Sequence, residues 1–148
     1  MIDNDIHNVA AEYNGGVVIF VGFAADTTIA HNEIADQPYT GISFGGVGLR
    51  NRSYAARNTI NGNYVHDVMQ VLDDGGCIYT LGTSPTSTMS LNYVTGDNAD
   101  YGALYLDTTI AHWFIAYNVV GPVATDWLPL QTDLNYPDAA RDNTVEHN

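Results

Sequence analysis

Apolar residues along this chain recur in short groups, separated by stretches rich in glycine and asparagine. The pattern Thr-[Ile/Met]-x-x-Asn-x-[Ile/Val] begins at Thr28, Thr59 and Thr88, and looser copies occur later in the chain. With a shortened copy near the start, its asparagines are Asn4, Asn32, Asn63, Asn92, Asn118 and Asn148. Their near-constant spacing, roughly 26–31 residues from each to the next, indicates internal repeats.

The composition of each repeat predicts β-structure. β-Branched and aromatic residues dominate, and Gly or Asn interrupts the pattern too often for helical repeats. Leucine at fixed offsets, which a leucine-rich repeat requires, is missing. We therefore predict an all-β fold, a right-handed parallel β-helix with three sheets and about five coils. Residues 1–148 form a single domain without evident capping segments in this prediction. The Asn residues are expected to adopt the left-handed conformation of tight turns and to stack in a ladder.

A second apolar segment follows each Asn by about ten residues. Alternation within these segments points Ile42, Ile78 and Leu104 inward. The outward residues of the same segments are Ser43, Tyr79 and Tyr105. The loops that precede these segments vary most in length and hold most of the acidic residues, as expected for a binding site on a regular solenoid.

The charge balance excludes several classes of partner and chemistry. Seventeen carboxylates oppose four arginines and no lysine, which gives a net charge of −13. Neither nucleic acid nor an anionic membrane is therefore an expected partner, because both require a basic surface. The lack of lysine excludes a Walker-type phosphate loop and Schiff-base chemistry. A single cysteine, Cys77, excludes an internal disulfide framework. No signal peptide is recognisable, and the longest apolar stretch, 17–23, is too short to span a bilayer.

Two runs resemble a known family. HNEIADQPYTGIS at 31–43 and VHDVMQVLDDGGCIYTLG at 65–82 are similar to bacterial right-handed parallel β-helix proteins of the pectate-lyase-like superfamily, on its glycoside hydrolase branch. The resemblance implies a three-sheet β-helix, an extracellular or periplasmic location, and a glycoside hydrolase that acts on a cell-wall polysaccharide. The alternative is a non-catalytic polysaccharide-binding module, for example for xylan or pectin, with the same groove.

Glycoside hydrolysis requires two carboxyl groups about 5–9.5 Å apart. Asp36 and Asp67 occupy the same offset after their repeat Asn, so they are expected to stack on neighbouring coils. Asp73 and Asp74 lie on the loop that leads into the next strand. From the resemblance, Asp36 and Asp74 are the expected acid/base pair. The expected substrate-binding residues are His66, Asp67, Asp73, Tyr79, Tyr39, Tyr105 and Asp100.

The histidines do not predict a metal site. The hexapeptide DTTIAH occurs at 26–31 and again at 107–112, an offset that corresponds to three coils of the repeat. This places His31 and His112 about 14 Å apart, too far to share a metal. No cofactor is expected, and calcium held by the acidic cluster is the alternative. The expected partners are a polysaccharide or oligosaccharide, together with further copies of the chain through uncapped end coils.

Overall fold

A computed structural model describes residues 1–45, 54–130 and 140–148, which contain strands and no helix. The strands are β1 (Asp5–His7), β2 (Ile19–Val21), β3 (Thr28–Ala30), β4 (Glu33–Ala35), β5 (Ile42–Gly45), β6 (Thr59–Asn61), β7 (Tyr64–His66), β8 (Ile78–Leu81), β9 (Thr83–Ser90), β10 (Tyr93–Thr95), β11 (Leu104–Leu106), β12 (Ala111–Ala116), β13 (Val119–Val120) and β14 (Thr144–Glu146). No helix in the described residues is long and apolar enough to cross a membrane.

These strands form three parallel sheets. Sheet A has the order β3-β6-β9-β12-β14, sheet B the order β1-β4-β7-β10-β13, and sheet C the order β2-β5-β8-β11. The chain visits B, C and A in turn and repeats this circuit about four times, close to the five coils expected. The prediction of an all-β, three-sheet parallel β-helix is confirmed.

The core is a set of apolar columns that run along the solenoid. In sheet C, Ile42 pairs with Ile78, which pairs with Leu104, and all three are buried as predicted. Phe44 and Trp113 add an edge-to-face contact across the interior, with ring centroids 5.7 Å apart. Each large apolar side chain removed from water in this way stabilises the fold by about 1.5–3 kcal/mol.

The predicted asparagine ladder is present in full. The side-chain amide of each Asn donates a hydrogen bond to the amide oxygen of the next Asn, over 2.8 or 2.9 Å, from Asn4 through to Asn148. The same oxygens accept the backbone N–H of the preceding Asn, as Asn92 does from Asn63 over 3.0 Å. The four middle asparagines are buried, so the ladder satisfies polar groups that water cannot reach.

The expected conformation of these asparagines is wrong. The left-handed residue is the one before each Asn, with φ between 54° and 62°. These residues are Asp3, His31, Gly62, Leu91, Tyr117 and His147. Because the Asn side chain is held between its neighbours in the ladder, the preceding residue reverses the chain direction.

The expected alignment of the two DTTIAH copies is also wrong. Phe114 of β12 aligns through Thr88 and Thr59 with Thr28 of β3. Phe114, which follows the second copy by two residues, is therefore level with the third residue of the first copy. His31 instead lies just before the ladder. The coils differ in length along these pairs, so a constant number of residues per coil does not align the two copies. The register of β12 against β9 also shifts between Ala111 and Trp113.

Candidate functional site

An aromatic cluster covers the outside of sheet C. The outward residues Phe20, Ser43, Tyr79 and Tyr105 pair in register from β2 to β11, so the predicted outward column is confirmed. The Tyr101 ring stacks on Tyr105 at 5.1 Å with an interplanar angle of 2°, and Tyr79 lies 5.1 Å from Tyr105 at 59°. Tyr105 is only 2% exposed, although it points away from the core. Part of this face is thus covered by its own aromatic rings.

Asp107 anchors this cluster at the end of β11. The Tyr79 hydroxyl donates a hydrogen bond to the Asp107 carboxylate. The other carboxylate oxygen accepts the Thr108 backbone N–H at 2.6 Å and the Thr108 hydroxyl at 2.9 Å. The sequence-based selection of site residues missed Asp107. Its signal was the strand period, because Asp107 follows the outward Tyr105 by one strand repeat and so lies on the same side.

Asp74 reaches the cluster through a contact between neighbouring coils. The Tyr39 hydroxyl donates a hydrogen bond to the Asp74 backbone carbonyl at 2.5 Å. Gly75 permits this approach, because a Cβ there would lie 2.2 Å from the Thr40 hydroxyl oxygen and 3.0 Å from the Tyr39 ring. The Asp74 side chain is exposed, and its carboxylate has no hydrogen bond from the described part of the chain.

The charges of Asp74 and Asp107 influence the pKa of the same three phenols. Burial is the main cause that raises the pKa of Tyr39, Tyr79 and Tyr105 above the ordinary value of 10.0, and the negative charges of Asp74 and Asp107 raise all three further. At neutral pH the phenols are protonated hydrogen-bond donors. We name these residues, together with Tyr101, the tyrosine–carboxylate cluster.

His66 and Asp67 belong to a second group, on sheet B and at its end. His66 Nδ1 lies 2.8 Å from the Asp67 carboxylate, and Nε2 lies 3.4 Å from Glu33. The His66 ring stacks on Tyr64 at 4.2 Å, and Tyr64 stacks on Tyr93 at 5.0 Å with an interplanar angle of 2°. Stacked rings turn their faces toward each other, so these side chains form an aromatic ladder along sheet B. The role of His66 and Asp67 in substrate binding stays a prediction.

The remaining predicted acids lie outside these contacts. Asp36 and Asp67 occupy equivalent positions on neighbouring coils, as expected, because Ala35 pairs with His66 just before them. The Asp36 carboxylate lies 3.7 Å from His7 Nδ1. The pairing of Asp36 with Asp74 in catalysis stays a prediction.

Asp73 and Asp100 are exposed on their loops, and neither carboxylate has a hydrogen bond or ion pair within residues 1–45, 54–130 and 140–148. Their role in substrate binding also stays a prediction. Over the same residues, no group of three or more His, Cys, Asp or Glu side chains is arranged to hold a metal ion.

Comparison with known proteins gives a structural relative but no sequence family. No family model matches the chain, and no curated protein matches it. A solved structure described as a glycoside hydrolase superposes with a TM-score of 0.73 and 25% sequence identity. The match covers 90% of this chain and 26% of that one, so the chain spans about a quarter of that protein's length. The chain therefore has a parallel β-helix fold like that of a glycoside hydrolase, as the sequence resemblance indicated.

Proposed function

We propose that the chain is a carbohydrate-active protein that hydrolyses a cell-wall polysaccharide at the tyrosine–carboxylate cluster. The observation that carries the proposal is that two acidic residues meet one tyrosine cluster, since the Tyr79 hydroxyl donates to the Asp107 carboxylate and the Tyr39 hydroxyl donates to the backbone carbonyl of Asp74. The likeness to a glycoside hydrolase over 90% of the chain supports the choice of a sugar as substrate.

The two carboxyl groups have different surroundings, and we assign them different roles on that basis. Asp107 accepts hydrogen bonds from Tyr79 and Thr108, and an acceptor-only setting suits a base or nucleophile. Asp74 is exposed and can present its carboxyl group to the leaving-group oxygen as the proton donor. A separation of about 5–5.5 Å would give retention at the anomeric carbon, and about 6.5–9.5 Å would give inversion.

The tyrosines hold the substrate in this mechanism. The Tyr39 hydroxyl donates its proton to the Asp74 carbonyl, and the Tyr79 hydroxyl donates its proton to the Asp107 carboxylate. Toward a sugar, these two phenol oxygens can therefore accept hydrogen bonds from its hydroxyl groups. Water is the second reactant: its oxygen bonds to the anomeric carbon, directly or after a glycosyl intermediate on Asp107, as the bond to the leaving-group oxygen breaks and that oxygen takes a proton from Asp74. A cell-wall substrate places the protein outside the cell or in the periplasm, which is part of the proposal.

Asp36 is the competing partner for Asp74, and substitution separates the two assignments. Release of reducing sugar is measured on xylan, pectin and β-glucan for the unaltered protein and for single Asp→Asn variants. Asp74→Asn and Asp107→Asn are each expected to lower kcat by about 10²–10⁴-fold. Asp142→Asn is the matched control, an exposed carboxylate beside sheet A, and its activity should be unchanged. A large loss in Asp36→Asn with full activity in Asp107→Asn would overturn the assignment of Asp107.

The same panel tests the non-catalytic alternative. If the unaltered protein is retarded in polysaccharide affinity gels but releases no reducing sugar, the hydrolase proposal fails and the binding module replaces it. If the protein neither binds nor cleaves any of the polysaccharides, both functions are excluded. Thermal melting of each variant must match the unaltered protein, so that a loss of activity reports on the site rather than on folding.

A further inference from the structure

Phe20 is an exposed aromatic side chain in line with the tyrosine–carboxylate cluster. It is the outward residue of β2, and register places it in one column with Ser43, Tyr79 and Tyr105. The side chain is 66% exposed, and this apolar area gains nothing from the core. Single exposed apolar side chains are common on protein surfaces, so the position of Phe20 in this column, rather than its exposure alone, makes it a candidate for ligand contact.

The Phe20 ring lies along its strand and leaves a face open. A Cβ built on Gly22, one strand repeat further on the same side, would lie 3.4 Å from the ring atoms Cε1 and Cζ. The outer end of the ring thus extends over Gly22, where the lack of a side chain leaves room for it. Phe20 has no ring contact with another aromatic residue of the described chain.

Four further exposed aromatic residues without a ring partner in the described residues, Tyr13, Phe23, Tyr54 and Trp127, lie outside the outward column of sheet C. Two other exposed aromatic residues differ from Phe20 in having such a partner. Tyr93 stacks on Tyr64, and Tyr117 stacks on His147 at 5.2 Å with an interplanar angle of 9°. Each of these rings has at least one face occupied by its partner. Of the two arrangements, only that of Phe20 suits stacking against the apolar face of a sugar ring.

The spacing along the column sets the size of the ligand. Phe20 and Tyr79 are two strands apart, which corresponds to about 10 Å along the solenoid. The residue between them is Ser43, which is small and buried, so a ligand that contacts both rings passes over it without an aromatic contact there. A single sugar ring cannot reach from the carboxylates to Phe20, whereas a short chain of sugars can.

We infer that Phe20 is a sugar-stacking subsite, which makes the protein selective for oligosaccharides long enough to extend from the tyrosine–carboxylate cluster across Ser43. This inference rests on the proposed function, because it takes the ligand to be a carbohydrate bound on sheet C. It adds a specificity-determining residue that lies outside the reacting groups.

Binding of oligosaccharides of different length tests the inference. The unaltered protein and Phe20→Ala are titrated calorimetrically with the disaccharide and the hexasaccharide of xylose, β-linked glucose and galacturonic acid. For the sugar that binds, Phe20→Ala should weaken hexasaccharide binding about 3- to 10-fold and leave disaccharide binding unchanged. Phe20→Trp, which keeps an aromatic face, should restore the hexasaccharide affinity.

Two outcomes separate this inference from the proposed function. If the unaltered protein binds the hexasaccharide and Phe20→Ala binds it equally well, the subsite is overturned and the proposed function stands. Equal losses for disaccharide and hexasaccharide would also overturn the subsite. If the unaltered protein binds none of the sugars, both proposals fail. Tyr117→Ala is the matched control, because it removes an exposed ring from the turn before Asn118, away from sheet C, and should change neither affinity.

Discussion

Two connections of each coil are built in opposite ways. The turn from sheet A to sheet B, here the Asn turn, uses the same two positions every time, a left-handed residue followed by Asn. The connection from sheet B to sheet C, here the variable connection, is shortest at 36–41 and longest at 8–18 and 67–77. The constant turn carries the ladder that stabilises the stack, and the variable connection carries Tyr39 and Asp74.

The difference follows from where the hydrogen bonds go. In the Asn turn, each amide bonds to the coil on either side, so a change of length on one coil would break bonds on two others. In the variable connection, the hydrogen bonds between coils differ from one coil to the next, as with those from the Gln37 N–H to the Asp67 carbonyl and from the Tyr39 hydroxyl to the Asp74 carbonyl. A coil can therefore change length there while its strands stay in register, and the solenoid gains freedom to vary a surface.

The largest loss of stability is expected for a substitution in the middle of the asparagine ladder. Asn92 donates to Asn118 at 2.9 Å and to the Ile60 carbonyl at 3.1 Å, and it accepts two hydrogen bonds from Asn63. Asn92→Ala leaves the buried N–H groups of Asn63 without an acceptor. We expect it to lower the free energy of unfolding by about 3 kcal/mol, measured by urea denaturation.

Asn4→Ala provides the matched control at the end of the ladder. Asn4 is only partly buried, so water can replace its lost partner, and the expected loss is about 1 kcal/mol or less. If the two substitutions cost the same, the buried ladder is not what distinguishes the Asn turn, and the comparison fails.

The sequence was sufficient for the fold because the relevant residues form columns. The Asn positions and the inward Ile42, Ile78 and Leu104 each recur once per coil, and stacking in register converts that recurrence into contact. The left-handed residue before each Asn could not be identified in this way, since residues as different as Leu91 and Gly62 occupy that position. Its constraint acts on the backbone and leaves no consistent residue type.

The site was predictable only where it follows the columns. Tyr79 and Tyr105 were found because they alternate with core residues on consecutive coils. The approach of Tyr39 to Asp74 joins residues 35 positions apart through a loop whose path depends on packing, so no spacing in the sequence reports it. The resemblance indicated Asp74, and the tyrosine contacts that surround it came only from the three-dimensional arrangement.

A smaller loss of stability is expected for a substitution at Gly75, in the variable connection. A Cβ at this position would lie 2.2 Å from the Thr40 hydroxyl oxygen and 3.0 Å from the Met69 side chain, so Gly75→Ala forces the loop away from the coil beneath it. We expect a loss of about 2 kcal/mol in unfolding free energy, together with weaker polysaccharide binding as Asp74 moves. Gly15→Ala is the control within the same type of connection, because nothing lies within 4 Å of its added Cβ. A similar loss in both variants would show that the connection tolerates no side chain at all, contrary to its variable length.

The smallest expected effect is on the pH dependence of stability, and its sign differs between Asp97 and Asp26. Asp97 lies in the variable connection at 96–103, where burial raises the pKa of its carboxyl group above the ordinary value of 3.8. One oxygen accepts the Ala99 N–H at 2.8 Å, and the other is buried with no hydrogen-bond partner in the described chain. Asp26, before β3, is exposed, and its hydrogen bonds from Arg57, at 2.7 and 2.6 Å, lower the pKa of its carboxyl group.

The contributions of these two carboxylates to the free energy of unfolding change with pH in opposite directions. A raised folded-state pKa means that Asp97 favours the folded protein at low pH, and this contribution is lost as the pH rises from the unfolded value through the folded one. A lowered folded-state pKa means that Asp26 contributes stability above the unfolded value and loses it as the pH falls through the folded one. Relative to the unaltered protein, Asp97→Asn should therefore gain stability between pH 3 and pH 7, and Asp26→Asn should lose it. Urea midpoints at the two pH values measure both differences. If both variants lose stability relative to the unaltered protein as the pH rises, burial does not raise the pKa of Asp97. Water then reaches the Asp97 carboxylate more freely than the burial of this residue indicates.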